Sequence, residues 1–210
     1  VELQGYPGPE GWQIQVLSQM GKELQRGVHR AEVVRTAVAA GNGVGKSALV
    51  SWIILWSMAT CVDCRGIVTA NTENQLRTKT WAELAKWHRL CVVGPMFTLT
   101  ATAIYSAMED HEKTWRFDQI PWNENKPEAF AGLHNKGRRV VLIFDESSAI
   151  PDIIWETAEG ALTDENTEII WAVFGNPTRN SGRFHGCFHA QRHRWRQYQV
   201  DSRGCSFTNK

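Results

Sequence analysis

Ala37 to Val50 reads AVAAGNGVGKSALV. A run of small apolar residues leads into three glycines, then a lysine and a serine, then helix formers. Successive backbone N–H groups can turn inward around an oxyanion only where Cβ bulk is missing. Gly41, Gly43 and Gly45 supply that freedom. A helix opening at Lys46 points its positive N-terminal end at the same place. Residues Gly41, Asn42, Gly43, Val44, Gly45, Lys46 and Ser47 therefore read as a phosphate cradle. Lys46 would reach the β- and γ-phosphates, and the Ser47 hydroxyl would ligate Mg²⁺. The usual pattern, G-x-x-x-x-G-K-[S/T], wants glycine at position 40, where the chain has Ala40. Alanine is small enough for a strand end if its φ stays negative.

The flanks give this loop its context. Residues 32–40 are β-branched and apolar, a buried strand, and the helix after the loop runs from Lys46 to Thr60. RGIVTAN (65–71) reads as a second strand. Residues 72–90 read as a helix, with Leu76, Trp81, Leu84, Trp87 and Leu90 three to five residues apart. KTWRFDQI (113–120) alternates like a strand, and 121–137 is a loop. RRVVLIFDE (138–146) is an apolar run of the kind central parallel strands carry. Pro151 opens a helix over 151–163. A further buried strand spans 167–177, and a last one lies near 194–202. Strands alternating with helices predict an α/β fold, a parallel-rich sheet with helices on both faces. With the cradle, the class is a P-loop NTPase of the ASCE or RecA-like kind.

Ligands gather at the carboxyl ends of parallel strands, and VVLIFDE ends there in two acids. Asp145 beside the cradle would hold Mg²⁺, and Glu146 would deprotonate water for attack on the γ-phosphate. The next strand ends in FGNP, with Gly175, Asn176 and Pro177. A neutral amide at Asn176 would sense the attacking water or the γ-phosphate, although Asn-Pro is also a plain turn signal. Near the start, Trp12 and Gln13 precede a short amphipathic segment. A glutamine amide can pair with the adenine edge, and Trp-Gln on a surface helix is the other reading. An acid beside the Mg²⁺ aspartate suits hydrolysis of ATP better than phosphoryl transfer to a metabolite.

Bulk properties narrow the class. The 210 residues suit one α/β domain, and the 42% apolar and 21% charged content is ordinary for a globular chain. The net charge of +1 excludes a global field that attracts polyanions, so a polyanion site would be a local patch. The longest apolar run, residues 48–62, is interrupted by serines and too short to span a bilayer, and no segment reads as a signal peptide. Five cysteines point to a reducing compartment. Cys61 and Cys64 stand at C-x-x-C spacing, with His88, Cys91, His185, Cys187 and His189 elsewhere, but no second paired motif completes a zinc site. Of the ten tryptophans, Trp52, Trp56, Trp81, Trp87, Trp155 and Trp171 read as core.

The blocks GWQ (11–13), GNGVGKS, LIFDESSAI (142–150), FGNPTRNSGRF (174–184) and YQVDSR (198–203) resemble the ATPase domain of the large terminase subunit of tailed bacteriophages. The last two blocks are the most specific, because generic P-loop ATPases lack the G-N-P-T-R-x-S-G-x-F run. The resemblance implies a motor that hydrolyses ATP with Mg²⁺ to thread double-stranded DNA into a procapsid. It implies a ring, usually of five subunits, at the portal protein, and a small terminase subunit that selects DNA. The setting would be the host cytoplasm, with no membrane, and the isolated piece could be a monomer. Carried over residue by residue, Lys46 and Ser47 hold nucleotide and metal and Asp145 is the acid that binds Mg²⁺. Glu146 is the catalytic base, Gln13 the adenine reader, and Gly175 to Pro177 the coupling motif. Some relatives place an arginine in the phosphate loop where this chain has Asn42, so another arginine must serve, from this subunit or a neighbour. Arg77, Arg138, Arg139 and Arg179 are the candidates. The expected domain is 1–200, with 1–30 on the adenine side, and 201–210 starts a linker toward a nuclease domain. No acidic cluster here fits a nuclease. Arg183, Arg192, Arg194 and Arg196, in a basic stretch with histidines and aromatics, are candidate contacts to DNA or to the next subunit. A helicase-like or other nucleic-acid-remodelling ATPase is the alternative, as is a nucleotide-gated binding module.

Overall fold

A computed structural model of the chain describes residues 8–27 and 33–206. The expected segments 1–30 and 201–210, and the expected first strand, extend in part outside the described residues. Helix α1 (Gly11–Gly27) precedes β1 (Val34–Ala40), α2 (Lys46–Thr60) and β2 (Arg65–Thr69). Next come α3 (Glu73–Gln75), a π-helical turn (Leu76–Trp81) and α4 (Ala82–Leu90), which run on as one rod. The strands β3 (Phe97–Leu99), β4 (Ala103–Ser106) and β5 (Arg116–Gln119) follow. The chain closes with β6 (Arg139–Phe144), α5 (Asp152–Ala161), β7 (Glu168–Gly175), α6 (Gly182–Phe188) and β8 (Arg196–Val200). The eight strands among the described residues form one sheet in the order β3-β4-β5-β2-β6-β7-β1-β8. Only β4 runs against the rest, since β3 and β5 both pair with it antiparallel and the remaining pairs are parallel.

Successive residues of a strand face opposite sides of a sheet, and the two cores follow that period. Val34, Val38, Val141, Ile143, Ile170, Ala172 and Phe174 face α1, α2 and α4. Ala37, Ala39, Val140, Leu142, Phe144, Ile169, Trp171 and Val173 face α5 and α6. On the second face Phe144, Trp155, Trp171 and Trp195 interlock, with centroids 5.0–6.0 Å apart. Trp81, Trp155 and Trp171 are buried as expected, whereas Trp56 is 36% exposed. Its ring instead carries the Arg139 guanidinium, 4.4 Å from the centroid. The short β3 and β4 were not anticipated. They have three and four residues, too few for any alternation to stand out.

The register brings four strand ends level. Phe144 pairs with Thr69 of β2 and Val173 of β7, and Gly175 pairs with Ala39 of β1. Whatever follows β1, β6 and β7 therefore shares one edge of the sheet. At the opposite edge Arg139, at the amino end of β6, is buried against Glu168 (2.7 Å), the Thr60 hydroxyl (2.6 Å) and Trp56. Arg139→Ala strands a half-buried Glu168 and uncovers Trp56. Urea denaturation is expected to show a loss of about 2 kcal/mol after allowance for the solvent around Glu168.

Candidate functional site

The cradle forms as its glycines dictate. Gly43 and Gly45 have φ of 76° and 91°, a region that costs other residues strain. Ala40 is the last residue of β1, paired with Val200, and is not among the positive-φ residues. The departure from the glycine pattern is thereby accommodated, because an extended strand residue tolerates a Cβ. Helix α2 starts on Gly45, and Lys46 and Ser47 occupy its first turn. Lys46 is buried, and its ammonium donates to the carbonyls of Ala40 at 3.0 Å and Gly41 at 2.5 Å. Burial lowers its pKa from the ordinary lysine value, and Glu146 and then Asp145 counter that in part. Asn42 is exposed at the loop tip.

Gln13 reaches the same loop from α1. Its side chain is buried, accepting from the Glu10 N–H at 2.8 Å and donating to the Gly45 carbonyl at 3.0 Å. In this arrangement the amide braces the cradle. A Cβ on Gly45 would lie 2.7 Å from Gln13 Nε2.

Asp145 and Glu146 leave β6 at the shared edge. Asp145 is buried; its Oδ2 accepts from the Thr80 hydroxyl at 2.7 Å and its Oδ1 from the Glu146 N–H at 3.0 Å. Burial holds its carboxyl above the usual aspartate range, and the Thr80 bond opposes that shift. Glu146 has φ 52° and ψ 42°, left-handed for a residue with a Cβ. Such strain persists where the surroundings over-determine it, commonly at reactive sites. Its carboxylate lies 3.9 Å from the Lys79 ammonium.

The next two residues tie this acid pair to the Gly175–Pro177 turn. Ser147 Oγ is 2.9 Å from the carbonyls of both Phe144 and Phe174, joining the ends of β6 and β7. Ser148 Oγ donates to the Asn176 carbonyl. Gly175 is closely covered, since a Cβ there would meet the Phe184 ring and Ser148 Oγ at 3.0–3.1 Å. Thr80, Lys79, Ser147 and Ser148 are the site residues that the linear reading missed. The serines directly follow the acids in DESS and could have been suspected; for Thr80 no local signal exists. The π-helical turn over Leu76–Trp81 reorients that stretch, and such turns recur at functional positions.

The arginines fall into separate places. Arg138 precedes β6 and Arg139 opens it, about 20 Å along the strand from Asp145 at 3.3 Å per residue. Arg139 is also enclosed by its own partners, so as a candidate arginine finger it is corrected to a structural residue, and Arg138 lies at the wrong end of β6 to reach the cradle of its own subunit. Arg77 is exposed on the π-helical turn. Arg179 lines a cavity of about 500 Å³ with Asn176, Pro177, Phe184, His185 and Asp201. Arg183 pairs with Glu156 and Glu159, at 4.0 and 3.7 Å. Arg192, Arg194 and Arg196 lie at the far edge of the sheet, lining a cleft with Arg26 and Arg35. Cys64 is buried, which pushes its thiol up, and Cys61 beside it is half-buried. Among the described residues no group of three or more histidines, cysteines or acids could hold a metal, and no helix is long and apolar enough to cross a membrane.

Gly45→Ala combines a positive φ with the approach to Gln13. Chemical denaturation should register a loss of about 1–3 kcal/mol, and Gln13→Ala in the same chain should relieve the steric part of it.

No protein-family model matches the chain. It is 27% identical over 161 residues to a probable terminase large subunit of Enterobacteria phage P7, covering 73% of this chain and 31% of that one. Its fold matches the large terminase of a thermophilic bacteriophage with a TM-score of 0.64, at 14% identity, over 92% of this chain and 46% of that one. It also matches the large terminase ATPase domain of Thermus phage P74-26 with a TM-score of 0.57, at 16% identity, over 94% of this chain and 87% of that domain. Structures of the thermophilic-phage terminase with ADP and with ATP-gamma-S match at TM-scores of 0.61 and 0.60. The chain thus spans about a third of its curated relative and less than half of the longer solved terminase. The chain shares the fold of solved phage large terminase ATPase domains and is similar in sequence to a probable phage terminase large subunit.

Proposed function

We propose that this chain is the ATP-hydrolysing motor domain of a viral DNA-packaging terminase, coupling hydrolysis to movement of double-stranded DNA into a procapsid. The observation that carries this reading is the shared strand edge, where the Lys46 cradle follows β1 and the buried Asp145 and strained Glu146 follow β6, the two strands that flank β7. Lys46 is already buried and held by main-chain oxygens, so triphosphate oxygens can replace those carbonyls without a new desolvation cost. The positive-φ glycines leave the loop's N–H groups without Cβ obstruction around an anion.

Asp145 and Ser47 fit a Mg²⁺ ion. The carboxylate is buried, engages in no ion pair among the described residues, and accepts neutral donors that leave it lone pairs. Oxygen ligands of this kind suit that hard cation, which, when bound, neutralises charge on the β- and γ-phosphates. Thr80 holds the Asp145 carboxylate in place. Glu146 takes the proton from the attacking water; its long contact to a half-exposed Lys79 leaves it free to do so. Gln13 braces the loop from the adenine side and keeps one N–H and one lone pair beyond its two bonds, the pair an adenine edge uses. Ser147 and Ser148 link the acids to Gly175, Asn176 and Pro177, the coupling turn. Arg77 and Arg179, or a neighbouring subunit, supply the transition-state cation that Asn42 does not.

The portal protein, the small terminase subunit, a five-subunit ring and a place at the procapsid portal in the host cytoplasm are proposed on the terminase likeness. So is the division into a motor domain over 1–200 and a linker from 201 toward a nuclease domain.

Lys46→Ala is expected to abolish hydrolysis and weaken triphosphate binding; full activity would remove the cradle reading. Glu146→Gln should still bind ATP and turn over about 10²–10⁴-fold more slowly, and normal turnover would put the base elsewhere. Thr80→Val removes a bond that favours the ionised Asp145. The acid limb of the rate profile should then move to higher pH and Mg²⁺ half-saturation should rise about tenfold, with both restored in Thr80→Ser. A profile identical to wild type would show that Thr80 only packs.

A further inference from the structure

The amino ends of β1 and β8 enclose a cleft of about 440 Å³, on the sheet edge opposite the cradle. Five arginines line it: Arg26 from α1, Arg35 from β1, and Arg192, Arg194 and Arg196 from the turn into β8. Two carboxylates answer them. Arg196 pairs with Glu23, while Arg194 and Arg35 share Glu159, the latter at 3.6 Å. Glu159 is drawn on by Arg183 as well, at 3.7 Å. Arg26 and Arg192 are exposed and form no ion pair among the described residues. Arg35 Nε is buried and has no hydrogen-bond partner among the described residues. Burial, and then Arg194 beside it, lower the Arg35 pKa, with Glu159 opposing only in part. In a chain of net charge +1, this is a concentrated excess of positive charge with an unmet donor inside it.

We propose that this cleft is a phosphate-binding site and that its ligand is the backbone of double-stranded DNA. All five cations are guanidiniums, the group that grips phosphate oxygens through two parallel N–H bonds. An oxyanion here relieves the repulsion between Arg35 and Arg194 and offers acceptors to Arg26 and Arg192. The naming of DNA as the source of the phosphate rests on the motor reading above; the charge of the cleft does not. The placement also has a mechanical meaning. Strand β1 starts at the cleft with Val34 and Arg35 and ends at the cradle with Ala40. One buried strand, about 20 Å from Val34 to Ala40 at 3.3 Å per residue, thus joins the DNA-binding cleft to the phosphate loop.

The test is fluorescence anisotropy of a short labelled DNA duplex titrated with the 210-residue chain, from about 50 to about 200 mM salt. The cleft variant is Arg26→Glu with Arg192→Glu. The control is Arg89→Glu with Lys113→Glu, which makes the same change in net charge on exposed residues elsewhere. The cleft variant should lose about tenfold in affinity and flatten the salt slope by about one for each phosphate no longer neutralised, and the control should stay near wild type. Inorganic phosphate should compete better than chloride at equal ionic strength for wild type and not for the cleft variant. Equal losses in both variants would mean a general field and overturn the site, as would unchanged binding in the cleft variant. Hydrolysis by the wild-type chain without DNA separates the two readings. A chain that binds DNA through the cleft and never hydrolyses ATP sinks the motor and keeps the site; a hydrolysing chain indifferent to the cleft charges does the reverse.

Discussion

A buried ammonium cannot stay unpaired, and at Lys46 that requirement organises the site. Its charge is met by the carbonyls of Ala40 and Gly41, which fixes where β1 must end and how the loop must turn. The turn in turn demands positive φ at Gly43 and Gly45, and Gly45 is then clamped from α1 by Gln13. Asp145 and Glu146 provide the nearest negative charges that favour the protonated lysine. The cradle and the acidic strand end are therefore electrostatically one unit, placed together by the β6–β7–β1 register.

From that unit a chain of short polar links runs to the neighbouring strand. Glu146 sits in a left-handed conformation immediately before Ser147, which joins the ends of β6 and β7, and Ser148, which holds the Asn176 carbonyl. A change in Glu146 on catalysis would be felt first at these serines. Phe184 of α6 presses on Gly175, so the turn and that helix form a packed pair. On the other side, the π-helical turn delivers Thr80 to Asp145 and Lys79 toward Glu146. The site is thus touched by four elements that are far apart in sequence.

Much of this was legible in the residues. The cradle, the apolar strand ending in two acids and the turn after the next strand each carry a local signature, and the parallel-sheet rule puts them at one edge. The layer order followed from strands alternating with helices. What escaped were contacts with no local trace. Thr80 is an ordinary helix residue until the extra residue of a π-helical turn points it at Asp145. Gln13 reads as a ligand-facing amide, and its two bonds to Glu10 and Gly45 add a bracing role that no local pattern announces. Arg139 reads as a free cation beside a catalytic strand, and it is six residues from the working end, sealed by Glu168, Thr60 and Trp56. The short β3 and β4 lacked the length for a period to emerge.

The measurement that tests the central claim most directly is a structure of the chain with Mg²⁺ and a non-hydrolysable ATP analogue. It should show the Lys46 ammonium withdrawn from the Ala40 and Gly41 carbonyls onto phosphate oxygens, with the metal between Ser47 and Asp145 and the Thr80 bond retained. A nucleotide bound elsewhere, with Lys46 still on those two carbonyls, would contradict the account.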